Sequence, residues 1–254
     1  GTVHCYVPLA RHLGIDQPLY GIQSLGLENG NGHLSNIESM AASYLEELRA
    51  IQPDGPYKIA GYSMGAAVAY EMAVQLRSEG ESVSLFLLDG GFNGKSSEQS
   101  ALTQAEQLTA TEREGLEELA AAHLGATVES LRELATDELM NHYLVSAKQL
   151  NLVPADISID QFRQFLRVMA SNQLALKSYR PQPYEGAVTL FRTPVSDGND
   201  PYYGLGDLAL GGVEVHEVPG NHTAFLEDPG VRIVAEKLND YLLDNQPELV
   251  ALAN

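Results

Sequence analysis

Cysteine is almost absent from this chain of 254 residues: Cys5 is the only one. A lone cysteine makes no internal disulfide and excludes a cysteine-based zinc cluster. It predicts a reducing, cytoplasmic compartment. Long hydrophobic runs are missing as well. No apolar stretch approaches the roughly 18 residues that span a bilayer, so no transmembrane helix is expected. The first residues, Gly1 to Tyr6, lack the basic start and long apolar stretch of a secretion signal. Basic residues are scarce: 15 Lys plus Arg stand against 34 Asp plus Glu, a net charge of −19. They occur singly, as at Arg11, Lys58, Arg77 and Lys177. Nowhere do they build the positive footprint that phosphate backbones or anionic membrane surfaces require. Nucleic acid and membrane are therefore not expected partners. Internal repeats and low-complexity tracts are also lacking.

What is present fits a packed globular chain, with 44% hydrophobic and 19% charged residues. Short β-branched and apolar runs bounded by Gly or Pro predict strands at Pro18–Gln23, Tyr57–Gly61, Ser82–Asp89, Ala187–Thr193 and Val213–Val218. Longer amphipathic stretches lie between them at Ile37–Ala50, Met64–Ser78 and Gly230–Leu243. This alternation predicts an α/β fold with a mostly parallel central sheet flanked by helices. Ser82–Asp89 is nearly all apolar, as befits a central strand covered on both faces. From about Gly94 to Tyr179 the rhythm changes to helical patterns such as Leu116/Leu119/Ala120, Val128/Leu131/Leu134 and Phe162/Phe165/Leu166/Met169. Thr111 with Glu114, and Ser158 with Gln161, have the spacing of capping boxes that start helices. The expected organisation is one domain over residues 1–254 with a mobile helical lid at about 94–179. A separate helical domain is the alternative.

Gly61-Tyr62-Ser63-Met64-Gly65 matches Gly-x-Ser-x-Gly. The pattern alone is weak, but here it directly follows a predicted strand and opens a helix of small residues. A strand–turn–helix elbow of that kind holds a serine in a strained turn with its hydroxyl exposed at the sheet edge. The flanking glycines avoid a collision with the neighbouring strand and helix. The Met64 N–H, at the helix start, would serve as an oxyanion donor. A serine needs a base, and seven histidines compete. His222 lies in Pro219-Gly220-Asn221-His222, after the last predicted strand and before the last helix, which completes the order Ser…Asp…His. His216 falls inside the preceding strand, His123 and His142 in the helical insertion, and His4, His12 and His33 before the elbow.

Two carboxylates suit the third role. Asp197 follows a later strand, the commonest place for the acid, but sits in Ser196-Asp197-Gly198-Asn199-Asp200, which reads as an exposed turn. Asp89 ends the apolar strand after the nucleophile helix and precedes Gly90-Gly91, which suits a partly buried acid. Burial favours Asp89, because water would screen a solvated acid from the imidazolium.

PLYGIQSLGL, GPYKIAGYSMGAAVAYEMAVQL, SVSLFLLDG and GGVEVHEVPGNHTAFLEDP together resemble the type I thioesterase domain that terminates polyketide synthases and nonribosomal peptide synthetases. The resemblance implies an α/β-hydrolase fold, with Ser63 as nucleophile, His222 as base and Asp89 as acid. It also implies that the phosphopantetheine arm of an upstream carrier protein delivers an acyl or peptidyl thioester. No cofactor or metal would be bound directly. The serine takes the chain as an ester and releases it to water or to an internal nucleophile, the latter giving a macrocycle. A homodimer is a state in which such domains occur. Two departures stand out. The family begins with a strand and a His-Pro-x-Gly-Gly-type loop that supplies the second oxyanion donor, whereas this sequence is expected to start at the end of that loop with the first strand missing, so that the second donor is either missing or backbone close to Gly1 and Thr2. Ala66 stands where the family has a further glycine. A free-standing esterase or editing thioesterase with the same triad, and a catalytically dead binding module, are the rival readings.

Overall fold

Apolar strands of four to six residues, separated by helices, pair here into one six-stranded sheet. The computed structural model describes residues 3–27, 36–92, 103–125, 127–150, 152–195, 200–243 and 250–253. The strands are β1 (Leu19–Ile22), β2 (Tyr57–Tyr62), β3 (Val83–Leu88), β4 (Val188–Arg192), β5 (Val213–Glu217) and β6 (Val250–Ala253). Their order is β1-β6-β2-β3-β4-β5, and every neighbouring pair is parallel. The first five match the runs read from the sequence to within a residue or two. The sixth was not foreseen. Val-Ala-Leu-Ala is too short for its period to show, and only pairing with β1 on one side and β2 on the other makes it a strand.

Helices α1 (Val7–Leu13), α2 (Ile37–Ile51), α3 (Met64–Ser78) and α8 (Gly230–Leu243) accompany the sheet. Because strand side chains alternate between faces, Phe86 and Leu88 of β3 join Phe191 of β4, Leu9 and Leu13 of α1, and Val231, Val234 and Leu238 of α8 in one apolar cluster. α3 lies against β2 and β3, with α2 beside it. Its alanines and Gly65 are buried, and small side chains let a helix approach a sheet closely. The Asn36 side chain accepts the Ser39 N–H at 2.7 Å and so starts α2.

The chain divides into two compact units, one of Gly1–Ser24, Asn36–Ser96 and Ser178–Asn254, the other of Leu25–Ser35 and Ser97–Lys177. The second holds α4 (Gln104–Leu124), α5 (Val128–Arg132), α6 (Thr136–Gln149) and α7 (Ile159–Ser178, whose last residue belongs to the first unit). Leu116, Ala120, Leu131, Leu139, Tyr143, Phe162 and Leu166 form its own apolar core. Ser158 and Gln161 cap α7 reciprocally, at 2.8 and 3.1 Å. Thr111 and Glu114 do not start a helix. Thr103 and Glu106 provide the capping box of α4, and Thr111 is a buried residue of its interior. Three Thr-x-x-Glu patterns start at Thr103, Thr109 and Thr111, and the first stands at the start of α4, whose N–H groups lack intrahelical partners. Among the described residues no helix is long and apolar enough to cross a membrane.

Candidate active site

Parallel register places the site. Tyr62 pairs with Leu88, and Leu88 with Phe191, so the residues that follow these strands emerge side by side. The Ser63 N–H donates to the Leu88 carbonyl at 3.0 Å, and the Asp89 N–H to the Phe191 carbonyl at 2.7 Å. At both places the chain turns sharply. Ser63 has φ 56° and Asp89 φ 46°, conformations in which side chains other than glycine are uncommon. Ser63 immediately precedes α3, so its hydroxyl stands at the helix N-terminus beside the Met64 N–H, one of those without an intrahelical partner. Glycine is required around this elbow. A Cβ on Gly61 would stand 2.1 Å from the Gly65 carbonyl oxygen, and one on Gly90 would stand 2.3 Å from that of Ser63.

The loop between β5 and α8 brings the third group. Ser63 Oγ lies 2.9 Å from His222 Nε2, and His222 Nδ1 lies 2.8 Å from Asp89 Oδ2. The carboxylate and the imidazole differ in exposure. The Asp89 side chain is 2% exposed and that of His222 51%. Burial by itself would raise the Asp89 pKa, but the hydrogen bonds from His222 and from Thr193 outweigh it and hold the carboxyl below its ordinary value. Asp89 Oδ1 accepts the Thr193 N–H at 2.7 Å, the Thr193 hydroxyl at 3.0 Å and the Tyr203 hydroxyl at 3.2 Å. Oδ2 faces the imidazole.

Tyr62 ties the elbow to the histidine loop. Its ring stacks on the His222 imidazole, with centroids 5.2 Å apart, and on Phe225 at 5.9 Å. Its hydroxyl donates to the His222 carbonyl, and its N–H donates to the buried Tyr6 hydroxyl at 2.9 Å. Burial, followed by the nearby Asp89 carboxylate, pushes the Tyr62 phenol up to about 12, so it remains a donor. Asn221 shapes the same loop by accepting from the Thr223 hydroxyl and the Ala224 N–H.

The other sequence candidates lie elsewhere. His216 is in β5, with Nε2 2.8 Å from the Tyr241 hydroxyl and 3.2 Å from Glu214. His123 bonds the Tyr143 hydroxyl at 2.8 Å within the helical unit. His142 is exposed on α6, His4 is exposed before α1, and His12 lies 3.6 Å from Asp228. Asp197, His33, Gly1, Thr2 and Gly94 fall outside the described residues. Cys5 is half-buried. Ala66 is fully buried in α3, and its methyl lies 2.5 Å from where a Cβ of Gly90 would stand. Among the described residues, no group of three or more His, Cys, Asp or Glu is arranged to hold a metal. Thr193, Tyr203 and Tyr62 were not singled out from sequence. Tyr62 lies inside the motif, but nothing local shows that it reaches His222.

The profile of the family described as the thioesterase domain matches residues 1–242. This chain belongs to that family. Membership supports a hydrolase acting on thioesters, and the parallel sheet with its elbow is the α/β-hydrolase arrangement of such domains. The thioesterase domain is 27% identical over 243 residues to chondramide synthase of Chondromyces crocatus, covering 92% of this chain and 6% of that protein. It is 32% identical over 190 residues to polyketide synthase PksR of Bacillus subtilis, covering 72% of this chain and 7% of that one. The chain thus spans a small part of these multidomain relatives. Among solved structures, it is similar to a four-domain nonribosomal peptide synthetase, with 29% identity, a TM-score of 0.79, and coverage of 95% of this chain and 18% of that chain. It shares its fold with the Vlm2 thioesterase domain, at 24% identity and a TM-score of 0.64, covering 95% of this chain and 89% of that one.

Proposed function

We propose that this domain releases an acyl or peptidyl chain from the phosphopantetheine arm of a carrier protein through an ester on Ser63. The observation that carries the proposal is the unbroken line from Ser63 Oγ to His222 Nε2 at 2.9 Å and from His222 Nδ1 to Asp89 Oδ2 at 2.8 Å. In the first half-reaction Ser63 Oγ attacks the thioester carbonyl while His222 Nε2 takes the hydroxyl proton. The buried Asp89 carboxylate orients the imidazole and stabilises its charged form. The Met64 N–H, at the start of α3, donates to the oxyanion of the tetrahedral intermediate. Collapse breaks the carbon–sulfur bond, and the imidazolium returns its proton to the departing thiol. In the second half, water or a nucleophile of the acyl chain itself attacks the ester, again losing its proton to His222, and Ser63 leaves as the free hydroxyl. Covalent catalysis divides one difficult transfer into two easier ones.

The carrier-bound substrate is supported by the multidomain relatives, whose names are those of synthases. A panel of acyl and peptidyl chains loaded on a carrier protein, with mass spectrometry of the released product, tests the function. Release of free acid or macrocycle from the carrier, faster than from small soluble esters, is the expected result. Preference for small soluble esters would instead identify a general esterase.

A further inference from the structure

Among the described residues, three that are not glycine have positive φ: Ser63, Asp89 and Tyr203. The first two are the proposed nucleophile and acid. Tyr203, at φ 51°, belongs to neither the elbow nor the acid's turn, and a bulky side chain in this region of backbone space is strained. Such a conformation persists only where its surroundings impose it.

Here the surroundings do so in three ways. The Asp200 carboxylate accepts the Tyr202 N–H at 2.9 Å and the Gly204 N–H at 2.6 Å, clamping the backbone on both sides of Tyr203. The Phe92 N–H, just beyond Asp89 in the chain, donates to the Tyr203 carbonyl at 2.6 Å. Close approach is possible because residue 91 is glycine: a Cβ there would lie 2.4 Å from that same carbonyl oxygen. The result is a loop fastened to the segment that follows Asp89, with the Tyr203 hydroxyl 3.2 Å from Asp89 Oδ1 and 3.4 Å from the Thr193 hydroxyl.

From this geometry we infer that Tyr203 is a positioning residue for the acid of the triad, held in a strained conformation so that its hydroxyl, with Thr193, occupies Oδ1 and leaves Oδ2 to His222. The inference rests on the proposed roles of Asp89 and His222. Burial, and after it the Asp89 carboxylate, raise the Tyr203 pKa, so the phenol stays protonated and donates. With Oδ1 engaged, the carboxylate has less freedom to rotate away from the imidazole, whose own side chain is half exposed to water.

Tyr203→Phe removes the hydroxyl and keeps the ring. Expected are a melting temperature close to wild type, an unchanged KM, and a kcat reduced about three- to tenfold, less than the full worth of a hydrogen bond to a charged group because both Thr193 donors remain on Oδ1. Placed in an Asp89→Asn background, the same substitution should cost nothing further in the rate of fluorophosphonate labelling of Ser63, because the two act as one unit. Equal losses in both backgrounds would overturn the inference. Independently of turnover, the downfield proton resonance of the His222 Nδ1–H should broaden by solvent exchange in Tyr203→Phe. An unaltered resonance together with an unaltered kcat would also overturn it. If wild-type protein neither turns over thioesters nor takes the label, the functional reading fails while the resonance still tests the Tyr203 contact.

Discussion

Asp89 and His222, 133 residues apart in sequence, meet through a 2.8 Å hydrogen bond between a carboxylate that is almost wholly buried and an imidazole that is half exposed. Their inequality matters. In the proposed mechanism the buried carboxylate would supply a fixed, poorly screened negative charge, while the imidazole stays open on its other side.

Asp89→Asn should lower kcat by a factor on the order of 10³–10⁴, because the amide no longer fixes the imidazole tautomer or stabilises its charge. Asp197→Asn should leave kcat within about twofold, because Asp89 holds the acid's place beside His222. Steady-state kinetics with one thioester substrate decides. A large loss at Asp197 and a small one at Asp89 would transfer the acid's role.

The pH dependence of stability has a definite sign. In the unfolded chain Asp89 titrates near the ordinary carboxylate value of about 4, and folding lowers its pKa. The folded state therefore binds that proton less readily. Its contribution is fully present above the unfolded pKa and is lost as pH falls through the lower folded value. Melting temperatures of wild type and Asp89→Asn, measured from pH 6 down to pH 3, should converge toward the acid end. A constant difference across that range would contradict the assignment.

Gly90→Ala should destabilise the fold by roughly 1–3 kcal/mol, the usual cost of overpacking, since the new methyl would meet the Ser63 carbonyl oxygen at 2.3 Å and the Ala66 Cβ at 2.5 Å. Adding Ala66→Gly should restore little, because the closer obstacle is backbone. Chemical denaturation reads both variants. Full rescue by Ala66→Gly would show that the methyl contact dominates.

Much of this site is legible in the sequence because each of its principal groups sits where a predicted strand ends. Ser63 follows one apolar run and opens a helix, Asp89 closes another before two glycines, and His222 follows the last. What periodicity reports is local, and that suffices for these three. It carries no information on which side chains meet across the ends of different strands. Hence Thr193 and Tyr203, whose donors hold Asp89, are visible only once β3 and β4 are paired. The stacking of Tyr62 on His222 is hidden for the same reason. β6 shows a different limit, since four small and apolar residues become a strand only through partners far away in the chain. Helix starts are legible where one cap stands alone, as at Ser158, and ambiguous where three Thr-x-x-Glu patterns lie close together.

Intact-protein and peptide mass spectrometry after mixing the domain with a carrier protein bearing an acyl or peptidyl thioester tests the central claim most directly. The mass of the acyl chain should appear on the peptide that contains Ser63, decay as product is released, and be absent in Ser63→Ala, which should retain its fold and lose turnover by a factor on the order of 10⁴ or more. Turnover that persists in Ser63→Ala, or an acyl adduct on any other residue, would contradict the account.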